Sequence, residues 1–157
     1  MIYASSFFEG DTLVECAKEY LKALPPEVTH LVTTGSSGST IASAMLVIAE
    51  QQGRVLQHHY VRKEGENAHG RTFAGSSICG QDCAIVDDLV SSGNTVEYLI
   101  NHCKNNNAIL KAIIFDQYEH STNKKKAESF IRKLLNTNPL RHYYSKCQII
   151  DLVSQRR

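Results

Sequence analysis

Two short segments of this chain carry nearly the same residues. Positions 36–41 read Ser-Ser-Gly-Ser-Thr-Ile and positions 91–96 read Ser-Ser-Gly-Asn-Thr-Val, each after an apolar run and ahead of a helical spacing. A glycine-containing turn that enters a helix exposes unpaired backbone N–H groups, and the helix dipole adds partial positive charge there. Serine and threonine hydroxyls supply further donors without bulk, so the combination is a cradle for an anion, most often phosphate. One such loop is a weak signal, since Ser and Thr cap helices widely. Two of them on one sheet edge suit a ligand with phosphate at two places; two ordinary capped helices are the plain alternative.

Asp87 and Asp88 stand at the end of an apolar run, directly before the second cradle. Desolvating adjacent carboxylates is costly unless something positive or hydroxyl-rich meets them. A sugar diol would do so, as would Mg²⁺ with its water shell. Neither a GxxxxGK-Ser/Thr nor a GxGxxG pattern occurs, which argues against P-loop and dinucleotide enzymes. The ligand implied is a sugar with phosphate at one end and a second phosphate group, with magnesium, at the other.

The elements that would carry these residues alternate in type. Residues 11–24 have apolar positions at helical spacing with Asp11 placed as an N-cap, and Pro25-Pro26 stops the run. A short β-rich run at 29–34 leads through Gly35, Ser36, Ser37 and Gly38 into an apolar helix at 39–53, ended by Gly53. Residues 55–63 read as a strand, 64–72 as a polar loop and 72–80 as a short β segment. The run 83–90 reads as one buried parallel strand, followed by a turn at Gly93 and a helix at 94–107. A second buried strand, 108–120, holds Asp116 near its end, with an amphipathic helix at 124–137 and a last strand at 147–153. Strand–helix alternation of this kind predicts an α/β fold: a mostly parallel central sheet flanked by helices and joined by right-handed crossovers. Ligands of such sheets sit beyond the carboxyl ends of the strands, so segments 36–40, 87–95 and 116–119 should share one cleft.

Bulk properties fit one soluble domain. The chain has 157 residues, 42% hydrophobic and 21% charged, with a net charge of +1. That balance offers no field to draw nucleic acid or an anionic membrane, and Lys124–Lys126 and the Arg156-Arg157 end read as a solvated helix face and a terminus. The five cysteines include no CxxC pair. Cys79, Cys83, His102 and Cys103 match no standard zinc spacing, and the reading is reduced, mostly buried thiols. No secretory pattern opens the sequence, and the longest apolar run, 41–49, is too short for a bilayer, so a cytoplasmic protein is expected.

The stretch 83–95, Cys-Ala-Ile-Val-Asp-Asp-Leu-Val-Ser-Ser-Gly-Asn-Thr, closely resembles the PRPP-binding motif of type I phosphoribosyltransferases: four mostly apolar residues, two acids, two apolar residues, then a small-residue phosphate loop. The resemblance covers roughly residues 28–120, with Ala84 standing where a larger aliphatic is usual. It implies a Rossmann-like phosphoribosyltransferase sheet with a reduced hood from the chain termini. Asp87 and Asp88 would contact the ribose hydroxyls, while Ser91, Ser92, Gly93, Asn94 and Thr95 would cradle the 5′-phosphate. Gly35, Ser36, Ser37 and Gly38 look like the pyrophosphate loop, where the family often has a non-prolyl cis peptide, expected here near residues 34–37. Each phosphate end of PRPP would then have its own loop.

Residues 60–70, Tyr-Val-Arg-Lys-Glu-Gly-Glu-Asn-Ala-His-Gly, are similar to the mobile catalytic loop of orotate phosphoribosyltransferases. Arg62, Lys63 and His69 match, and would meet the diphosphate as the C1–O bond breaks, often across a homodimer interface in that family. Read alone, Arg62 and Lys63 are ordinary surface charge. Departures from the orotate pattern are as specific. The loop is one residue longer, Glu66 or Asn67 stands for its second lysine, and Ser37 stands where those enzymes carry a lysine. Asp116, Gln117 and Tyr118 would lie near the base, but Gln117 replaces the arginine that would fork to orotate's carboxylate. Tyr118, Tyr143 and Tyr144 could equally be hood packing.

The resulting expectation is a Mg²⁺-dependent transferase that displaces pyrophosphate from PRPP with a nitrogenous base, Asp88 and the loop cations being catalytic. Mg²⁺ would come with PRPP, with Asp87 and Asp88 as protein ligands at most. The second expectation is a regulatory protein that keeps the PRPP pocket and has lost base chemistry. A third is an α/β domain with no phosphosugar ligand, against which the long motif speaks.

Overall fold

Pro25 and Pro26 set the first boundary. In a computed structural model, which describes residues 9–63, 65–66, 70–118, 124–136 and 146–152 (backbone alone at 117–118), helix α1 spans Gly10–Ala23 and Leu24 leaves it in an extended conformation. That is the geometry a following proline imposes. Asp11 is not the N-cap expected for it. Glu9 holds that place, while Asp11 lies in the first turn, where its carboxylate accepts from the Thr12 N–H at 2.8 Å and faces the positive end of the helix dipole.

Strand β1 (His30–Thr33) leads into α2 (Gly35–Gln51), β2 (Gln57–Val61) and β3 (Phe73–Gly75). Strand β4 (Asp82–Val86) is followed by the two-residue β5 (Leu89–Val90), α3 (Asn94–Asn105), β6 (Ile109–Phe115), β7 (Gln117–Tyr118), α4 (Lys124–Asn136) and β8 (Gln148–Asp151). The main sheet runs β3-β2-β1-β4-β6-β8, with every pair parallel except β2–β3. The mostly parallel sheet flanked by helices is therefore present. The run 83–90 differs from expectation: it breaks at the two acids, and Leu89 and Val90 pair instead with Gln117 and Tyr118 in a separate small ladder. Two carboxylates cannot both continue a buried strand, so the chain leaves the main sheet at Asp87.

Strand residues split between two cores, as a sheet covered on both faces requires. Leu31, Ala84, Val86, Ala112 and Ile114 pack with Tyr20 of α1 and with Ile41 and Met45 of α2. On the other face Val32, Cys83, Ile85, Leu110 and Ile113 pack with Leu99 and Ile100 of α3 and with Ile131 of α4. From neighbouring strands β1 and β4 the chain thus crosses over opposite faces and in opposite directions. Such a switch point opens a crevice at the carboxyl edge, with the N-termini of α2 and α3 on its two sides. No helix among the described residues is long and apolar enough to cross a membrane.

Candidate active site

Helix α2 begins one residue after β1. Thr34 is extended and hydrogen-bonds through its hydroxyl to the Val61 carbonyl at 2.8 Å, and Gly35 then turns the chain with φ +72°. Gly35, Ser36, Ser37 and Gly38 accordingly form the first turn of the helix rather than a loop ahead of it. The Ser39 and Thr40 hydroxyls bond back to the carbonyls of Gly35 and Ser36 at 2.7 and 2.8 Å. No cis peptide occurs among the described residues, so the one expected near 34–37 is absent. The positive φ of Gly35 makes the reversal instead.

Gly38 is buried against the end of β4. A Cβ on it would lie 2.8 Å from the Val86 carbonyl oxygen and 3.6 Å from Asp87 Oδ1. Only a residue without a side chain lets the α2 turn sit this close to the acids.

Asp87 is 8% exposed. Its N–H donates to the Ile114 carbonyl at 3.1 Å, and its carbonyl accepts from the Tyr20 hydroxyl at 2.7 Å. Its Oδ1 accepts the Asp88 N–H at 3.0 Å. Burial, reinforced by the charge of Asp88, pushes the Asp87 carboxyl up to about 8, with Lys63 a weaker opposing influence. Asp88 is half-buried, and its carbonyl accepts the N–H of the buried Asp116 at 3.1 Å. The three acids therefore lie along one edge, and the β5–β7 ladder brings the backbone of Gln117 and Tyr118 beside them.

The second cradle is built differently. Gly93 is the N-cap of α3 with φ +91°, and a Cβ there would meet Phe130 Cδ1 at 3.1 Å. Ser91, Ser92, Asn94 and Thr95 are exposed around it. The Asn94 N–H donates to Ser92 Oγ at 3.3 Å, and no side chain caps the helix from position 93. The first-turn donors of α3 thus face outward beside four small polar side chains.

Arg62 and Lys63 follow β2. The Arg62 backbone is anchored by its N–H to the Thr72 carbonyl at 2.9 Å and by its carbonyl to the Tyr98 hydroxyl, while its buried Nε finds no hydrogen-bond partner among the described residues. Lys63 Nζ lies 3.8 Å from where a Cβ of Gly35 would be, beside the first turn of α2. Together with Gly35, Ser36, Ser39, His58, Tyr60 and Glu66, it lines a cavity of about 580 Å³. The acids are not among its walls; the cavity belongs to the α2 and β2 side of the edge. His69, Tyr143, Tyr144 and residue 119 lie outside the described residues.

Two wall residues, His58 and Tyr60, escaped the sequence reading. His58 Nε2 is 2.7 Å from the Thr33 hydroxyl, and the Tyr60 hydroxyl donates to Glu66 Oε2 at 3.0 Å. The period-two signal was available, since 58 and 60 alternate with the buried His59 and Val61 on β2. Glu66, one of the two residues read as standing for the loop's second lysine, also accepts the Lys63 N–H at 3.1 Å through its carboxylate. That bond, then the Tyr60 hydroxyl, holds it below the ordinary carboxylate range. Tyr20, sixty-seven residues from Asp87, had no local signal at all. The described residues hold no cluster of three or more potential metal ligands, and none of the five cysteines forms a disulfide, with Cys79 exposed and the others buried.

Comparison with known proteins agrees with this geometry. A phosphoribosyl transferase domain model matches residues 10–143. The orotate phosphoribosyltransferase of Ralstonia nicotianae is 31% identical over 126 residues, 76% of this chain and 55% of that protein. That of Cupriavidus necator is 33% identical over 102 residues, 62% of this chain and 44% of that protein. The chain thus spans about half the length of the curated relatives it matches. Among solved structures, Francisella tularensis orotate phosphoribosyltransferase superposes with a TM-score of 0.68 over 97% of this chain and 71% of that one, at 18% identity. The Mycobacterium tuberculosis orotate phosphoribosyltransferase in complex with 5-phospho-α-D-ribosyl 1-diphosphate (PRPP) gives 0.65 over 100% and 84%, at 12% identity. At those identities the likeness is one of fold, and the domain match supplies the assignment. The chain belongs to the phosphoribosyltransferase family and is similar, within it, to orotate phosphoribosyltransferases.

Proposed function

We propose that this protein transfers the 5-phosphoribosyl group of PRPP to a nitrogenous base and releases pyrophosphate. The observation that carries the reading is the contact at Gly38, which holds one anion cradle against the acid pair that opens the other. One doubly phosphorylated sugar can then span both.

In that reaction the C1–O bond to the diphosphate breaks, and a ring nitrogen of the base forms the new bond to C1. The transition state carries positive charge on the ribosyl ring, as in glycoside chemistry. Asp87 and Asp88 accept hydrogen bonds from the ribose hydroxyls and offset that charge. Ser91, Ser92, Gly93, Asn94 and Thr95 hold the 5′-phosphate. The N–H groups of Gly35, Ser36, Ser37 and Gly38, with Lys63 and Arg62, bind the diphosphate and stabilise the charge it gains on leaving. Donors fixed by a helix turn need no reorganisation at that moment. His69 is assigned to the same departing group. Asp116, Gln117 and Tyr118 are assigned to the base, under a small hood from the terminal segments, and the working unit is a cytoplasmic homodimer.

A magnesium ion fits the donor set. Asp87 and Asp88 are adjacent carboxylates, and the pKa of the buried Asp87 is raised first by burial and then by the charge of Asp88. A hard cation carried in with the diphosphate and sugar hydroxyls relieves that repulsion and supplies charge neutralisation to the leaving group.

A second reading, a PRPP-binding regulator without base chemistry, is favoured by one feature. Glu66, one of the two residues (with Asn67) that could stand for the orotate pattern's second lysine, places a carboxylate on the wall of the cavity beside the first turn of α2. Pyrophosphate release from Mg-PRPP, scanned over purine and pyrimidine bases with an Asp88→Asn control, separates the two. Release with one base, lost in the control, is expected. PRPP binding without release from any base would establish the regulator.

A further inference from the structure

Among the described residues Tyr20 is the largest side chain with no exposure, packed in the core that α1 and α2 form on the sheet. Its neighbours there include Ala17, Leu21, Ala42 and Met45, so burial alone would be served as well by phenylalanine. The hydroxyl is the exception in that surrounding, and a buried phenol needs a partner. It finds one at the Asp87 carbonyl, 2.7 Å away.

That carbonyl and the Asp88 N–H belong to the same peptide unit. The N–H is taken by Asp87's own Oδ1 at 3.0 Å, and the carbonyl by Tyr20. On either side the chain is tied to β6, through Asp87 N–H to Ile114 and Asp116 N–H to the Asp88 carbonyl. The peptide between the two acids is the joint about which their carboxylates turn relative to each other, because the main ladder has stopped at Val86.

We propose that Tyr20 is a positioning residue for the acid pair: by holding the Asp87–Asp88 peptide plane, its hydroxyl sets the angle between the two carboxylates that meet the sugar. Burial raises the phenol's pKa well above its ordinary value, first by desolvation and then through Cys16 and the nearby acids, so the hydroxyl remains a donor at working pH. Helix α1 thereby takes part in the site without touching the ligand. The proposal rests on the phosphoribosyl reading above, and on the separation of the two cradles.

The test is calorimetric titration of the full chain with ribose 5-phosphate and, separately, with pyrophosphate, in wild type and Tyr20→Phe. Loss of the hydroxyl is expected to weaken ribose 5-phosphate about tenfold and to leave pyrophosphate within roughly twofold, because the hydroxyl bonds to Asp87 and phenylalanine keeps the ring's packing against α2. A residue that serves only packing would weaken both ligands equally or neither, and either result overturns the proposal. Should Tyr20→Phe not fold, 3-fluorotyrosine at position 20 keeps volume and hydroxyl while altering donor strength. A changed ribose 5-phosphate affinity with unchanged pyrophosphate affinity then supports the role, and no change in either overturns it. If wild type binds neither ligand, the phosphoribosyl reading fails, and the role of Tyr20 with it.

Discussion

Residues 36–41 and 91–96 are nearly the same word with two structures. The first lies wholly within α2, with its glycine buried against a strand end; the second straddles the start of α3, with its glycine as cap and its hydroxyls exposed. What differs is the cause of each glycine. Gly38 is required by proximity, since a Cβ would be 2.8 Å from a backbone oxygen. Gly93 is required by conformation, at φ +91°, with a side chain, Phe130, as its near neighbour. A packed cradle is positioned by the sheet; an open one is positioned by its own backbone.

Substitution at the two glycines separates those causes. Gly38→Ala should have the largest effect, a loss of about 3 kcal/mol in urea unfolding, at the upper end for overpacking, because a backbone oxygen cannot move aside. Gly93→Ala should cost about 1–2 kcal/mol, mainly the strain of a left-handed alanine, since Phe130 can rotate away. Equal losses, or the reverse order, would break the distinction.

Exposed hydroxyls sharpen it on the ligand side. Thr95→Val should weaken ribose 5-phosphate about tenfold and leave the unfolding midpoint unchanged. Pyrophosphate affinity should not respond. A parallel loss of both ligands would mean that the cradles are not separate subsites.

The edge of the sheet and its interior should respond to pH in opposite senses. The Asp87 carboxyl is raised from 3.8 to about 8 in the folded protein, so its favourable contribution is complete below the unfolded value and lost as pH rises toward 8. Asp87→Asn should therefore stabilise the chain at pH 8 and leave it unchanged near pH 4. In the interior, His59 Nε2 and His102 Nε2 are 2.8 Å apart, and His59 Nδ1 is 2.6 Å from the Ser76 carbonyl. A carbonyl only accepts, so His59 carries its proton on Nδ1 and His102 donates across the pair. Burial, then His59, lowers His102 to about 4 from 6.5. The neutral pair favours folding fully above 6.5, and that support is lost as pH falls toward 4. His102→Asn should flatten this acid limb, the smallest of the effects, in unfolding midpoints measured across pH.

The long motif at 83–95 was legible because its chemistry is local: acids at a strand end, then small residues opening a helix. Helix α3 and the starts of strands β4 and β6 fell close to their expected positions for the same reason, continuous apolar runs with strong punctuation. The first turn of α2 was misread as a loop, because a glycine needed for close approach looks in sequence like one needed for a turn. The break of 83–90 at Asp87 depends on β7, which offers Leu89 and Val90 another partner. Tyr20 lay beyond reach, since nothing in 11–24 distinguishes a tyrosine that fills space from one whose hydroxyl meets a carbonyl sixty-seven positions away.

The central claim is that two cradles on one edge hold the two ends of one sugar. Calorimetric binding of Mg-PRPP, followed by competition with ribose 5-phosphate and with pyrophosphate, tests it most directly. The account predicts that each displaces PRPP, that the two bind together without displacing one another, and that Asp88→Asn weakens PRPP about 100-fold. PRPP binding that only one of them can displace, or that survives Asp88→Asn unchanged, would contradict it.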